Sequence, residues 1–124
     1  MSFALEFPDS EVRDVVADAT GVRVRFSAAS VRNAQGGHGW LTAVVLTLAD
    51  ATLAGDATHA FGKIAEGRLR HDGTALPRLA LPATLAGELE LSLRLTNGTS
   101  LAVRATALAA AAAPDAVFTE DLSC

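Results

Sequence analysis

Hydrophobic and polar positions alternate along much of this chain with a period of two. Val22-Arg23-Val24-Arg25-Phe26 sets three apolar side chains on one face and two arginines on the other. Glu88-Leu89-Glu90-Leu91-Ser92-Leu93-Arg94-Leu95-Thr96 continues the same alternation over nine residues. A helix would spread those leucines around its circumference, whereas a strand collects them on one side. The stretch from Trp40 to Ala49 is apolar at positions of both parities and rich in Val, Thr and Leu. It predicts one strand covered on both faces.

Turn residues separate these runs at short intervals: Thr20-Gly21, Asn33 to Gly39, Asp72-Gly73 and Asn97-Gly98. Many short strands so punctuated predict an all-β protein, an antiparallel sandwich or flattened barrel of about seven to nine short strands. Charge and face select the hairpin registers. A three-residue loop, Thr96-Asn97-Gly98, sets Leu93 opposite Leu101, Leu91 opposite Val103 and Glu90 opposite Arg104, with Gly98 in the left-handed region. The same logic at His71-Asp72-Gly73 sets Glu66 opposite Arg78. A two-residue loop at Thr20-Gly21 pairs Asp18 with Arg23 and Val15 with Phe26. Pro77 and Pro82 bracket Arg78 to Leu81 and mark an edge strand, because proline cannot donate to a ladder. The alanine-rich segment Ala105 to Ala113 is expected to stay extended to about Leu108 and then become irregular, although alanine favours helix. Residues 1–113 are thus expected to form a single all-β domain, and 114–124 a C-terminal tail anchored by Val117, Phe118 and Leu122.

Composition narrows the function classes. A chain of 124 residues, half of them hydrophobic, with a net charge of −4, buries enough surface to fold without disulfides or metal. The single cysteine, Cys124, provides no disulfide framework. Ten basic against fourteen acidic residues, one lysine and no tyrosine argue against nucleic acid as a partner. No apolar run has the length of a membrane span, and the first residues have no signal-peptide pattern, so a cytoplasmic protein is expected.

Local motifs for catalysis are missing. No serine sits in GxSxG, and the histidines His38, His59 and His71 stand at no metal-binding spacing with Asp56 or Asp72. No catalytic residue, cofactor or metal is therefore assigned, and the chain is expected not to be an enzyme. In Gly36-Gly37-His38-Gly39-Trp40, His38 and Trp40 are candidate loop contacts for a ligand, set against a plain connection with Trp40 in the core. Arg23, Arg25, Glu90, Arg94 and Arg104 project from strands and form the candidate partner surface, set against a charged outer face that only blocks aggregation.

Glu11-Val12-Arg13-Asp14-Val15-Val16, then Gly21 to Phe26, Trp40 at the head of a strand, Gly62-Lys63-Ile64 and Phe118-Thr119-Glu120 follow one another in an order that resembles a group of small bacterial all-β proteins. Many of these have no known function, and some are immunity proteins encoded beside toxins. Such proteins often carry a histidine near the start of the first strand, where this chain has none, and no functional residue carries over. The resemblance implies an all-β fold and an interaction role. The expectation is a protein-binding module, of immunity type or an adaptor, acting on another protein, with a homodimer through the Arg78 to Leu81 edge or a shared apolar face also expected. A small-ligand-binding barrel and an enzyme with a site assembled from separate loops are the alternatives.

Overall fold

A computed structural model describes residues 2–121. They form eleven strands: β1 (Phe3–Asp18), β2 (Gly21–Asn33), β3 (His38–Leu41), β4 (Val44–Ala49), β5 (Thr52–Gly55), β6 (Gly62–His71), β7 (Thr74–Leu76), β8 (Leu79–Leu81), β9 (Ala83–Leu95), β10 (Ser100–Ala112) and β11 (Phe118–Glu120). The only helical element among them is one 3-10 turn at Ala57–His59, and no helix is long and apolar enough to cross a membrane. The fold is the expected all-β class, with more strands than the seven to nine read from the turns and with four of them thirteen residues or longer.

Pairing runs β1–β2–β4–β10–β9–β6 and returns from β6 to β1 through Glu11 and Val12 opposite Lys63 and Gly62, which closes a six-stranded antiparallel barrel. Inward positions carry Val22, Val24, Phe26, Leu46, Leu48, Leu69, Leu91, Leu95 and Leu108, all buried. A barrel needs about eight strands before its interior is just wide enough for side chains to fill. The narrower interior here is occupied by the protein's own core.

β1 and β2 are long enough to serve a second sheet. Phe3 to Glu6 pairs with Ser30 to Asn33, β8 adds beside β1, and β3 followed by β11 adds beside β2. The break between the two uses of β1 lies at Phe7-Pro8-Asp9-Ser10, where the ladder jumps from Glu6↔Ser30 to Glu11↔Ala28 and Asp9 takes φ 70°. Pro8 has no N–H to give. Ser10 repairs the gap: its hydroxyl donates to the Glu6 carbonyl at 2.7 Å and accepts the Ser30 N–H at 2.8 Å. Ser10 is fully buried, so both bonds satisfy groups that would otherwise be costly to desolvate.

The β9–β10 hairpin has the expected register, with Leu93 opposite Leu101 and Glu90 opposite Arg104. Its turn closes through Leu95 N–H to Thr99 O and Gly98 N–H to Leu95 O, with Gly98 at φ 91°. β8 lies at the end of the sheet path, as the flanking prolines predict.

Five expectations are corrected. The β1–β2 turn is Ala19-Thr20, so Val15 faces Val24 and Asp18 faces Gly21. Asp18 Oδ1 holds that turn by accepting the N–H groups of Thr20 and Gly21. Gly21 is needed because β2 is crowded there by β4, not because it turns: a Cβ would sit 2.1 Å from the Leu48 carbonyl oxygen, at φ 147°. The β6–β7 turn is two residues, Asp72-Gly73, both at positive φ, which is the preferred hairpin geometry. Leu69 therefore faces Leu76, and Glu66 faces Arg94 of β9 and not Arg78. The Trp40–Ala49 run divides into β3 and β4 at Thr42-Ala43, with Ala43 at φ 56°. In β4 Val44, Leu46 and Leu48 are buried and Thr47 is exposed, an alternation that the small outward residues mask. Finally, β10 remains a strand to Ala112, because Ala107 to Ala110 are paired on both sides, by β4 and β9. Two complete ladders outweigh alanine's helix preference, which is less than ~1 kcal/mol per residue. Of the segment read as a tail, Phe118–Glu120 is strand β11, with Phe118 half-buried and Val117 exposed. Leu122 lies outside the described residues.

Candidate functional site

The five charged residues read as one partner surface do not share a face. Arg23 and Arg25 lie on β2, Glu90 and Arg94 on β9, and β2 and β9 are three places apart in the six-strand ring, so they look out from opposite walls. Each arginine already has a carboxylate from its own barrel. Arg25 binds Asp14 through Nε at 2.7 Å and Nη2 at 2.5 Å. Arg94 meets Glu66 at 2.9 Å, Arg23 meets Asp18 at 3.6 Å, and Arg104 lies 4.0 Å from Glu90. The hydrogen bond from Arg25 holds the Asp14 carboxyl below its ordinary value. These four arginines are thus each paired within their own wall.

The three histidines lie on separate elements, His38 on β3, His59 in the 3-10 turn and His71 at the end of β6. His59 pairs with Asp56 at 2.5 Å beside the 3-10 turn. The Thr58 hydroxyl first, and His59 second, lower the Asp56 carboxyl to about 2. His71 Nε2 is 2.8 Å from the Ala86 carbonyl oxygen. No group of three His, Cys, Asp or Glu side chains stands ready to hold a metal among the described residues. Cys124 lies outside them.

His38 and Trp40 do not sit in a mobile loop. The β2–β3 connection is a tight hairpin in which Asn33 N–H bonds Gly37 O and Asn33 Oδ1 accepts the N–H groups of Gln35 and Gly37. That turn sets Arg32 opposite His38 and Ser30 opposite Trp40. Ser30 and His38 are therefore diagonal neighbours on the outer face of the second sheet. Ser30 Oγ is 2.7 Å from His38 Nε2, and His38 Nδ1 is 3.3 Å from Asp121 Oδ2. Trp40 is half-buried, not part of the core, and stands edge-on to the His38 ring at 5.3 Å. A cleft of about 490 Å³ opens over this group, lined by Glu6, Pro8, Asp9, Ser30, Arg32, His38 and Pro77. Sequence reasoning missed Ser30 and Asp121. The signal for Ser30 was present, since Asn33 followed by Gly36-Gly37 fixes the hairpin register; nothing local announces Asp121, which arrives from 83 residues away.

The inner side of the same sheet presents a different surface. At one mouth of the barrel an open pocket of about 560 Å³ is lined by Phe3, Leu41, Leu81, Pro82, Ala111, Ala112, Ala113, Ala116 and Phe118. Every lining residue is apolar. Phe118 reaches it because β3 carries Gly39: a Cβ there would lie 2.5 Å from the Phe118 ring. The ring also packs on Phe3, at 5.1 Å between centroids. Among the described residues β11 pairs with β3 on one side only and forms the end of the sheet path, so a strand edge that none of them covers borders the pocket. Asp115, between the lining residues Ala113 and Ala116 in sequence, and Glu120, two residues beyond Phe118 on β11, are both exposed.

No protein-family model, no curated protein and no solved structure matches this chain.

Proposed function

We propose that this protein is a protein-binding module whose working surface is the apolar mouth with the β11 edge, and not the charged walls. The observation that carries this reading is the mouth itself, left open and lined by apolar residues alone in a barrel whose interior is otherwise packed. Its volume falls within the ~300–1,000 Å³ range of ligand pockets. Such pockets normally add a few polar side chains to orient a free small molecule, and here none lines the pocket. An apolar side chain delivered by a partner backbone needs no such anchor. The adjoining edge offers that backbone a ladder, as in strand addition, where main-chain bonds give affinity and a pocket gives specificity. Asp115 and Glu120, with the net charge of −4, favour a partner segment with basic residues beside its apolar one. The net negative charge leaves nucleic acid disfavoured, and a cytoplasmic, bacterial setting accords with the single cysteine and with the resemblance to small bacterial all-β proteins.

Selection from a displayed library of extended peptides tests this. The expected binders carry an aromatic or aliphatic residue flanked by Lys or Arg, and lose binding to Ala116→Trp, which fills the pocket. Binders indifferent to Ala116→Trp but abolished by Arg94→Glu would return the function to the walls.

A further inference from the structure

Ser30, His38 and Asp121 stand in the order nucleophile, base and orienting carboxylate, and we propose that Ser30 is an acylatable nucleophile toward activated esters. The protonation pattern follows from the partners. With the ring neutral, an ionised Asp121, which only accepts, takes the Nδ1–H of His38; Nε2 is then the acceptor, and the Ser30 hydroxyl donates to it. That is the arrangement from which a base removes a hydroxyl proton, and it is recognised by geometry and role rather than by sequence position. Ser30 is itself pinned, its N–H bonded to Ser10 Oγ and its residue 3% exposed, yet it lines the cleft from which a substrate would approach.

In the first step Ser30 Oγ bonds to the acyl carbon of the ester and passes its proton to His38 Nε2. The ester C–O bond breaks, and the leaving alkoxide or phenoxide takes that proton, giving acyl-Ser30 and free alcohol. Water then attacks the acyl carbon with His38 again as base, which releases the carboxylic acid and restores the serine. The Ser30 N–H is already committed to Ser10, so it cannot stabilise the oxyanion. Arg32, opposite His38 and lining the same cleft, brings positive charge, but Glu6 lies 3.3 Å from its Nε. With the oxyanion so weakly supported, the substrates are esters of acidic phenols with small acyl groups, not amides.

The test uses p-nitrophenyl acetate with the full chain, read by phenol release and by peptide mass mapping. Acetyl is expected on Ser30, with Ser30→Ala abolishing that adduct and His38→Gln slowing its formation by about a hundredfold, the scale of general-base assistance. Asp121, as a positioning residue, is probed by rescue: Asp121→Asn lowers labelling and Asp121→Glu restores part of it, while both unfold at the same temperature. Acetyl found only on Lys63 or the amino terminus of a folded wild-type protein would overturn the proposal, as would labelling of Ser30 at equal rates in wild type and His38→Gln.

Discussion

Two glycines separate two physical reasons for the residue. Gly98 has φ 91° and nothing within 4 Å of a built Cβ, so Gly98→Ala meets only a conformational penalty. It should destabilise by roughly 1 kcal/mol, measured by urea unfolding. Gly39 is needed for space: its absent Cβ is where the Phe118 ring lies. Gly39→Ala should displace β11 while leaving the barrel folded, seen as faster amide exchange at Trp40 and Thr119 with barrel amides unchanged. The carboxyls add a pH signature. Asp14, Asp18 and Asp56 are all held below their ordinary 3.8, Asp56 at about 2. A lowered folded value stabilises the native state above the unfolded value, and that contribution is lost as pH falls through the folded one. The charge-dependent part of the stability difference between wild type and Asp56→Asn should therefore be constant above about pH 5, shrink as pH falls towards 2 and disappear only below it.

At the scale of elements, legibility in the sequence depended on whether a turn was held by its own residues. The β9–β10 register could be read because Leu93, Leu91 and Glu90 must each find a compatible partner across Gly98, and a one-residue slip would turn every leucine to solvent. The β1–β2 turn could not, because Gly21 is required by β4, an element that the local sequence does not reveal. The β6–β7 turn differs for the opposite reason: Asp72 takes positive φ itself, which shortens the loop, while β7 ends at Leu76 before Arg78 and Glu66 meets Arg94 across the β6–β9 ladder. The alanines of β10 carry no facial signal, and their strand state rests on ladders from β4 and β9. The same limit applies to the candidate sites. His38 was visible as an unusual residue, but its meeting with Ser30 and Asp121 depends on β3 lying between β2 and β11.

For the whole molecule, the separation of tasks between surfaces matters most. On the barrel walls Arg23, Arg25, Arg94 and Arg104 are each paired with a carboxylate, the interior is filled, and the second sheet keeps its apolar face open at the mouth and its polar face over the Ser30 cleft. The most direct trial of the binding assignment is chemical-shift mapping of the ¹⁵N-labelled protein with a selected peptide. Perturbations should concentrate at Phe3, Leu41, Ala112, Ala116 and Phe118, with new amide protection along β11. Shifts confined to the β6–β9–β10 wall around Arg94 and Arg104, with the mouth unperturbed, would contradict it.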